Sequence, residues 1–318
     1  MKKIAVLTSG GDAPGMNAAV RAVVRTCLNS GIEPYVINDG YKGLVEGKIK
    51  KVNRRFVSEV LNRGGTIVGT ARLKEFTELE VQQKAVNNLQ ELGIEGMVVI
   101  GGDGSFRGAI DLGKLGVNCI GVAGTIDNDI NSSGYTVGFD TALNTIVEAI
   151  DKIRDTSSSH HRCSIVEVMG RHCGDLALYS SIACGADILI DPNTVVDEEK
   201  MYKDIIRMKE EGRRHVLIVV SENVLDCNEL AKRIEENTGF ETRANVFGHF
   251  QRGGVPTAMD RFRASVLGCE AVKYLMEGKR NIMIYLENKQ IRSLSLEEAV
   301  EKKTIDYKHL YEVNKVIG

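Results

Sequence analysis

The chain has 318 residues, of which 43% are hydrophobic, and its 41 Lys and Arg against 43 Asp and Glu give a formal net charge of −2. This balance excludes the class of nucleic-acid-binding protein whose affinity comes from an overall basic surface. No apolar run approaches the ~18 residues of a membrane span, and the N-terminus lacks a signal-peptide pattern, so we expect a cytoplasmic protein. The length is typical of two domains of ordinary size.

The first predicted elements are a strand, a glycine-rich turn and a helix. The strand covers residues 4–7, the turn covers residues 8–15, and the helix begins near Asn17. Such a turn can bind an anion because free backbone N–H groups and the positive end of the helix dipole point the same way. It is neither a Walker A loop nor a dinucleotide fingerprint, so by itself it is a weak indication. Arg21 and Arg25 lie one helical turn apart, and this spacing alone favours a solvated basic face.

The middle of the chain carries two buried strands, predicted at residues 97–100 and 119–123, and polar turns follow both. The polar side chains of these turns are Asp103, Thr125, Asp127 and Asp129. Open α/β sheets place their chemistry at the carboxyl ends of the strands, so we expect these groups to share one pocket. Ser105 is predicted to cap a helix that runs toward Lys114.

Strands and helices alternate through the rest of the sequence. Further helices are predicted at about residues 78–92, 141–154, 197–211 and 258–276, and further strands at about 163–168, 188–190, 216–220 and 281–286. A helix-like segment is predicted after Arg54 and Arg55, the polar residues 156–162 are predicted to form a loop, and Arg243, His249 and Arg252 fall on an irregular stretch. The alternation predicts an α/β protein with two Rossmann-like three-layer αβα domains and mostly parallel sheets.

These polar residues suit phosphoryl transfer, which needs a metal ion, donors around the transferred group and a base for the incoming hydroxyl. Asp103 could bind Mg²⁺, Asp127 could accept the hydroxyl proton, and Asp129 could orient Asp127 or raise its basicity. Candidates for gripping an anionic substrate are Arg162, Arg171, Arg243, Arg252 and His249. From position alone, most of these would be assigned to surface ion pairs.

The seven cysteines lie between Cys27 and Cys269 without a Cys-x-x-Cys pair. Neither a disulfide framework nor a zinc site has this spacing. We expect mostly small buried hydrophobic residues or inert thiols, which is favoured over a redox role for Cys163 and Cys173.

Five stretches together resemble the bacterial ATP-dependent 6-phosphofructokinase family, and the resemblance extends over the whole chain. They are LTSGGDAPGMN at 7–17, IGGDGS at 100–105, GTIDND at 124–129, VMGR at 168–171 and GHFQRGG at 248–254. The resemblance implies transfer of the ATP γ-phosphoryl group to the 1-hydroxyl of fructose 6-phosphate. It also implies Mg²⁺ on Asp103 and an ATP-binding domain of residues 1–138 with about 252–305. The fructose 6-phosphate domain would be residues 139–251 with about 306–318.

The resemblance also assigns roles by position. The implied catalytic set is Gly11, Arg72, Thr125, Asp127, Asp129 and Arg171. The implied ATP contacts are Gly11, Arg72, Leu73, Gly102, Asp103, Gly104 and Ser105. The implied sugar-phosphate contacts are Thr125, Asp127, Arg162, Met169, Gly170, Arg171, Glu222, Arg243, His249 and Arg252. In this family Arg162 and Arg243 reach the site of a neighbouring subunit, which implies a homotetramer.

An effector site for ADP as activator and phosphoenolpyruvate as inhibitor is implied in the same way. Its positions are Arg21, Arg25, Arg54, Glu59, Arg154, Gly185, Asp187, Glu211, Arg213 and His215. This reverses the interpretation of Arg21 and Arg25 as a solvated face. Glu211 stands where relatives often carry a basic residue, so we expect weaker attraction for an anionic effector. Four further positions depart from common family choices, namely Leu73, Phe106, Arg107 and Ala123.

Two other functions stay open on the sequence. A pyrophosphate-dependent phosphofructokinase is similar throughout but has bulky residues at the positions of Gly104 and Gly124, so glycine at both favours ATP. A non-catalytic nucleotide sensor would need a defective acid or arginine at the centre, and none is missing. Neither a nucleic acid nor a membrane is expected as a partner.

Overall fold

The computed structural model describes residues 1–131, 134–303 and 307–318. The chain divides into two compact units. The first unit is Met1–Thr141 with Arg252–Thr304, and the second is Ala142–Gln251 with Ile305–Gly318. A late segment therefore completes the first unit.

The described strands are β1 (Lys3–Thr8), β2 (Glu33–Ile37), β3 (Ile49–Lys51), β4 (Gly96–Gly101), β5 (Cys119–Thr125), β6 (Val137–Gly138), β7 (Cys163–Val168), β8 (Ile188–Ile190), β9 (Val216–Ser221), β10 (Thr242–Val246), β11 (Ile282–Glu287) and β12 (Gln290–Ser295). The described α-helices are α1 (Met16–Asn29), α2 (Gly40–Val45), α3 (Leu79–Glu91), α4 (Asp103–Lys114), α5 (Phe139–His160), α6 (Asp175–Cys184), α7 (Glu198–Glu210), α8 (Cys227–Thr238), α9 (Ala258–Met276), α10 (Leu296–Ala299) and α11 (Lys308–Ile317). None of them is both long and apolar enough to cross a bilayer.

The first unit is built on a sheet of order β12-β11-β5-β4-β1-β2-β3, with β6 paired to β5. Its central strands run parallel, and the outer pairs β11–β12 and β2–β3 are antiparallel. Strands β4 and β5 are near-continuous apolar runs because both faces of the sheet are covered, which is typical of parallel sheets. Met97 and Val99 of β4 pack with Phe106 and Leu112 of α4 in one core.

The second unit is built on a four-stranded parallel sheet of order β10-β7-β9-β8. Its core brings Ile165 and Ile218 of the central strands together with Ile205 of α7 and Ile234 of α8. Both of these helices begin at an aspartate, because the Asp197 carboxylate accepts from an N–H of α7 and Asp226 accepts from two N–H groups of α8. The two mostly parallel sheets with helices confirm the predicted α/β class.

Three predicted elements were wrong. Ser105 does not cap α4, because the helix begins at Asp103 with Gly102 as its N-cap. Residues 156–160 are helical rather than a loop, because the hydroxyls of Ser157 and Ser159 donate to carbonyls one turn earlier instead of breaking the helix. The segment after Arg54 consists of turns and contains no helix.

The stretch around Arg243, predicted to be irregular, contains the edge strand β10. This strand was missed because its polar residues do not form an apolar run. Strand β5 also extends two residues past its predicted end, to Thr125. Five of the seven cysteines are buried, and all are free thiols. Burial raises the pKa of Cys163 to about 12, which keeps this thiol protonated and unreactive at neutral pH.

Candidate active site

The turns after β4 and β5 lie at the same edge of the first unit. The two strands are parallel neighbours with Gly101 opposite Ala123. A Cβ atom on Gly102 would lie 3.5 Å from Cβ of Thr125, so the two turns touch at this point. Asp103 is the first residue of α4, and Asp127 follows two residues after the end of β5. Parallel pairing thus brings the two acidic turns together.

The glycine-rich turn after β1 reaches the same edge, because β1 pairs with β4 on its other side. The backbone N–H of Ser9 donates to Ile100 O at 2.9 Å. At Gly11 a Cβ atom would lie 1.6 Å from Nη1 of Arg252, so a side chain here would displace this guanidinium. The turn therefore carries Arg252, which is far away in sequence, directly on its backbone.

Ser105 and Gly104 show an opening at the N-terminus of α4. The Ser105 hydroxyl is buried and has no hydrogen-bond partner among the described residues. A Cβ atom on the exposed Gly104 would meet nothing within 4 Å. The positive end of the α4 dipole, an unpaired hydroxyl and open space together fit an anion such as a phosphate.

Asp103 carries a partly exposed carboxylate at this opening. Both of its oxygens contact Arg107, at 3.0 Å to Nη2 and 3.1 Å to Nε, and Arg107 also donates to Val300 O. Mg²⁺ prefers one or two carboxylates together with phosphate oxygens and water, so Asp103 fits this ion once a phosphate is bound. No cluster of three or more His, Cys, Asp or Glu that could hold a metal by itself occurs among residues 1–131, 134–303 and 307–318.

The turn after β5 is fixed by polar contacts. The N–H of Asp127 donates to Thr125 Oγ1 at 3.2 Å, and Asn128, in the left-handed region at φ 53°, accepts from Thr136 N at 2.9 Å. Lys303 donates to the Asn128 carbonyl at 2.6 Å. Asp127 is only 3% exposed, whereas Asp129 is half-buried. These contacts fix the backbone of the turn that carries the buried Asp127.

In the second unit, residues 169–173 form a loop after β7 whose backbone N–H groups are held by two side chains. Glu222 accepts from Gly170 N and Arg171 N at 3.1 and 2.7 Å, and the fully buried Gln251 accepts from Met169 N at 3.1 Å. Gly170 has φ 133° and Arg171 has φ 53°. Two successive positive φ values persist only where the surroundings fix them, and such strain is common at functional sites.

Arg162 and Arg243 lie at the opposite end of the same sheet. Arg162 precedes β7, Arg243 is the second residue of β10, and both contact the Glu241 carboxylate, at 2.9 and 2.5 Å. The hydrogen bond from Arg162, together with the charge of both guanidinium groups, lowers the pKa of Glu241. The six residues of β7 separate this end from the loop at 169–173 by about 20 Å. Within one chain these two groups of predicted sugar-phosphate residues are therefore not brought together.

Arg72, Leu73 and His249 occupy less regular positions. Arg72 is exposed and precedes a short 3₁₀ helix, Lys74–Thr77, while Leu73 is half-buried against the first core. The nearby Thr70 hydroxyl donates to Gly10 O at 2.8 Å, which connects this segment to the glycine-rich turn. His249 is exposed in a second 3₁₀ helix, Gly248–Arg252.

Comparison with known proteins gives the family of the chain. The family model described as phosphofructokinase matches residues 3–275. The chain belongs to the phosphofructokinase family. A relative named ATP-dependent 6-phosphofructokinase from Vibrio vulnificus is 55% identical over 301 residues, covering 95% of this chain and 94% of the relative. A Clostridium perfringens relative named ATP-dependent 6-phosphofructokinase 1 is 53% identical over 318 residues, covering all of both chains.

Solved structures of the family have the same fold. Phosphofructokinase from Saccharomyces cerevisiae superposes with a TM-score of 0.90 at 36% identity over 98% of this chain, which spans 50% of the yeast chain. A pyrophosphate-dependent phosphofructokinase from Marinobacter aquaeolei has a TM-score of 0.87 at 21% identity over 97% of this chain and 86% of its own. At that identity the likeness shows the fold alone.

The effector positions that the phosphofructokinase resemblance implies form two basic groups, one in each unit. In the first unit Arg21, Arg25 and Arg54 lie close enough that, beside burial, repulsion from the other two lowers the pKa of Arg21. The buried Nε of Arg25 has no hydrogen-bond partner within the described part of the chain. Three mutually repelling guanidinium groups and an unpaired donor suit an anion. Glu59 lies in the adjoining turn, in the left-handed region at φ 57°.

The second group surrounds His215 at the start of β9. Arg213 forms a 2.6 Å ion pair with Asp187, whose other oxygen accepts from Leu217 N, and Arg154 donates to the Cys184 carbonyl. Burial, and then the charges of Arg154 and Arg213, lower the pKa of His215, while Asp187 opposes this shift. Gly185 ends α6 at φ 59° beside this group. Glu211 is exposed and lies 3.9 Å from Nε of Arg207.

Two residues that hold the site together were not singled out in the sequence. Gln251 stands inside the GHFQRGG stretch at 248–254, and membership of this stretch was its only indication in the sequence. Lys303 left no signal, since it lies 175 residues from the Asn128 carbonyl that it contacts. Only the folded chain reveals this second contact.

Proposed function

We propose that this chain is an ATP-dependent 6-phosphofructokinase that forms fructose 1,6-bisphosphate and ADP in cytoplasmic glycolysis. The observation that carries the proposal is the edge of the first unit, where three strand ends place glycine turns, the buried Asp127 and the opening at Gly104 side by side. Close relatives with nearly full coverage are named for this activity.

The ATP phosphates are proposed to bind the turns of Gly11 and of residues 102–105. The N-terminal amides of α4 and the Ser105 hydroxyl donate to phosphate oxygens, and Arg72 offsets their charge. Leu73 contacts the nucleotide. When bound at Asp103, Mg²⁺ neutralises charge on the phosphates and orients them. Both Asp103 oxygens contact the Arg107 guanidinium. Arg107 would therefore release at least one of these oxygens when Asp103 holds Mg²⁺.

Fructose 6-phosphate is proposed to present its 1-hydroxyl to Asp127, which accepts the proton as general base. Thr125 accepts from Asp127 N and so fixes the backbone of this residue, and the negative charge of Asp129 raises the basicity of Asp127. Arg171 stabilises the negative charge that develops on the transferred group, because its guanidinium stays positively charged. The remaining proposed sugar-phosphate contacts are Met169, Gly170, Glu222, His249 and Arg252 from this chain, and Arg162 and Arg243 from a neighbouring one.

The test of the reaction is a coupled assay that offers fructose 6-phosphate with either ATP or pyrophosphate. We expect turnover with ATP and Mg²⁺ and none with pyrophosphate. Turnover with pyrophosphate alone would establish the alternative phosphofructokinase. Nucleotide binding without turnover of either donor would establish a sensor.

The homotetramer is proposed because Arg162 and Arg243 are about 20 Å from the loop of residues 169–173 in their own chain. Mixing subunits tests this. Tetramers that combine Asp127→Asn subunits with Arg243→Ala subunits contain some sites with neither change if Arg243 acts on a neighbour. We expect activity to return on mixing, and no return would place Arg243 in its own subunit's site.

We also propose that ADP activates and phosphoenolpyruvate inhibits through the two basic groups. Glu211 places a negative charge near the second group and should weaken both responses. Titration of both effectors against wild type and Glu211→Lys measures this. We expect stronger responses from the variant, and identical curves would remove Glu211 from effector control.

A further inference from the structure

The C-terminal helix α11 is attached to the second unit through two tyrosine hydroxyls. Tyr307, at its N-terminus, donates to Asp175 at 2.9 Å, and Tyr311 donates to Asp191. Asp175 is 1% exposed and Asp191 is fully buried. Buried carboxylates are costly unless hydrogen-bonded, so each tyrosine hydroxyl contributes to the stabilisation of a buried carboxylate. Asp191 also accepts from Asn193 N at 3.0 Å through its other oxygen.

Both carboxylates adjoin the end of the loop at residues 169–173. Asp175 is the first residue of α6, directly after Gly174. A Cβ atom on Gly174 would lie 2.4 Å from Oδ2 of Asp191, the oxygen that accepts from Tyr311. The Asp191 carboxylate therefore rests against the backbone at 174, and any rotation of its side chain would change the space available there.

The start of this loop is held differently from its end. Gln251 and Glu222 bind the amides of residues 169–171, where the backbone adopts two positive φ values. Its end is packed on Asp191 and continues into Asp175. Strained backbone persists only when the surroundings fix it on all sides, so the end needs support as well as the start.

We propose that Tyr307 and Tyr311 are positioning residues for this loop, acting through Asp175 and Asp191. They keep Met169, Gly170 and Arg171 in the conformation that grips fructose 6-phosphate. The inference rests on the proposed function only for the identity of that ligand. It gives α11 a role in substrate affinity although its residues touch no substrate.

The test compares Tyr311→Phe and Tyr307→Phe with Tyr202→Phe. Tyr202 is the matched control because it donates to the Glu198 carboxylate at 2.5 Å in the same unit, within helix α7. Each change removes one hydroxyl and keeps the ring. The readouts are thermal stability, the KM for each substrate, and amide hydrogen exchange of residues 169–173 measured by mass spectrometry without any substrate.

We expect Tyr311→Phe to raise the KM for fructose 6-phosphate by about tenfold, the equivalent of one hydrogen bond to a charged group. The KM for ATP stays within about twofold, and the loop amides exchange faster than in Tyr202→Phe. Equal loop exchange in all variants would overturn the proposal, whatever the assay shows. If Tyr311→Phe fails to fold, Tyr307→Phe decides by the same measurements. An inactive wild type with faster loop exchange in the variants would refute the proposed function but keep the positioning role.

Discussion

In the first unit the proposed phosphate-binding turns follow three neighbouring parallel strands, whereas in the second unit the loop at 169–173 is held by side chains from distant parts of the sequence. The first arrangement uses strand register and small residues, as at Gly11 beneath Arg252. The second uses Glu222, Gln251 and Asp191 around a backbone with positive φ values. Substitutions in the first unit should therefore affect mainly the substituted residue's own contacts. In the second unit, substitutions far from the loop in sequence can change the conformation of the loop.

The largest expected effect belongs to Asp127 in the first unit. Asp127→Asn keeps the size of this buried side chain but removes the base, so we expect kcat to fall by about 10²- to 10⁴-fold with a smaller change in KM. Steady-state kinetics with both substrates measures this. Near-normal turnover would remove Asp127 from the base role.

Substitutions at Gly104 and Gly124 in the first unit distinguish an effect on ligand binding from an effect on packing. Gly104→Ala enters open space, so we expect unchanged stability but an ATP KM raised by about tenfold, because a phosphate amide contact is lost. A Cβ on Gly124 would lie 3.1 Å from Ile100 Cγ2 and 3.2 Å from Met16 Cε, so Gly124→Ala should cost about 1 kcal/mol of stability.

Thermal unfolding and ATP titration check both changes. Gly134→Ala is the matched control, since its Cβ also meets nothing within 4 Å. An ATP KM that Gly104→Ala leaves unchanged would place the nucleotide elsewhere.

Gln251 tests the side-chain support of the second unit. Gln251→Leu leaves Met169 N and Gly248 O without their partner, and we expect a loss of about 1–3 kcal/mol of stability together with a higher KM for fructose 6-phosphate. Chemical denaturation and kinetics measure the two effects. A stability loss at unchanged KM would show that Gln251 supports the fold without positioning the loop.

The smallest expected effect is the pH dependence of effector binding at His215. Its pKa is lowered from 6.5 by burial, Arg154 and Arg213, so the free protein holds it neutral at neutral pH. A bound anion offsets the two arginines and raises that pKa, so binding takes up a proton and tightens as the pH falls below neutral. The test measures the pH dependence of ADP affinity for wild type and for His215→Gln. The titration of ADP itself affects both proteins equally, so it cancels in the difference between the two curves. Parallel pH curves would contradict this linkage.

Much of this arrangement was predictable because it is local in sequence. Strand β7 was predicted at its observed bounds, and the acidic turns at Asp103 and Asp127 were expected at one sheet edge because carboxyl ends of parallel strands meet there. The polar edge strand β10 and the serine-rich end of α5 were missed because pairing and back-bonding override weak local preferences.

By itself the sequence determined the α/β class, the strand-end turns and the family motifs, since apolar runs and glycines act over a few residues. The tertiary structure alone decided that Arg252 lies on Gly11, that Gln251 and Glu222 hold the loop amides, and that Tyr311 reaches Asp191. It also separated Arg162 and Arg243 from that loop by the length of β7. These contacts join residues far apart in the chain, and their partners are set by sheet order and packing, which no local pattern records.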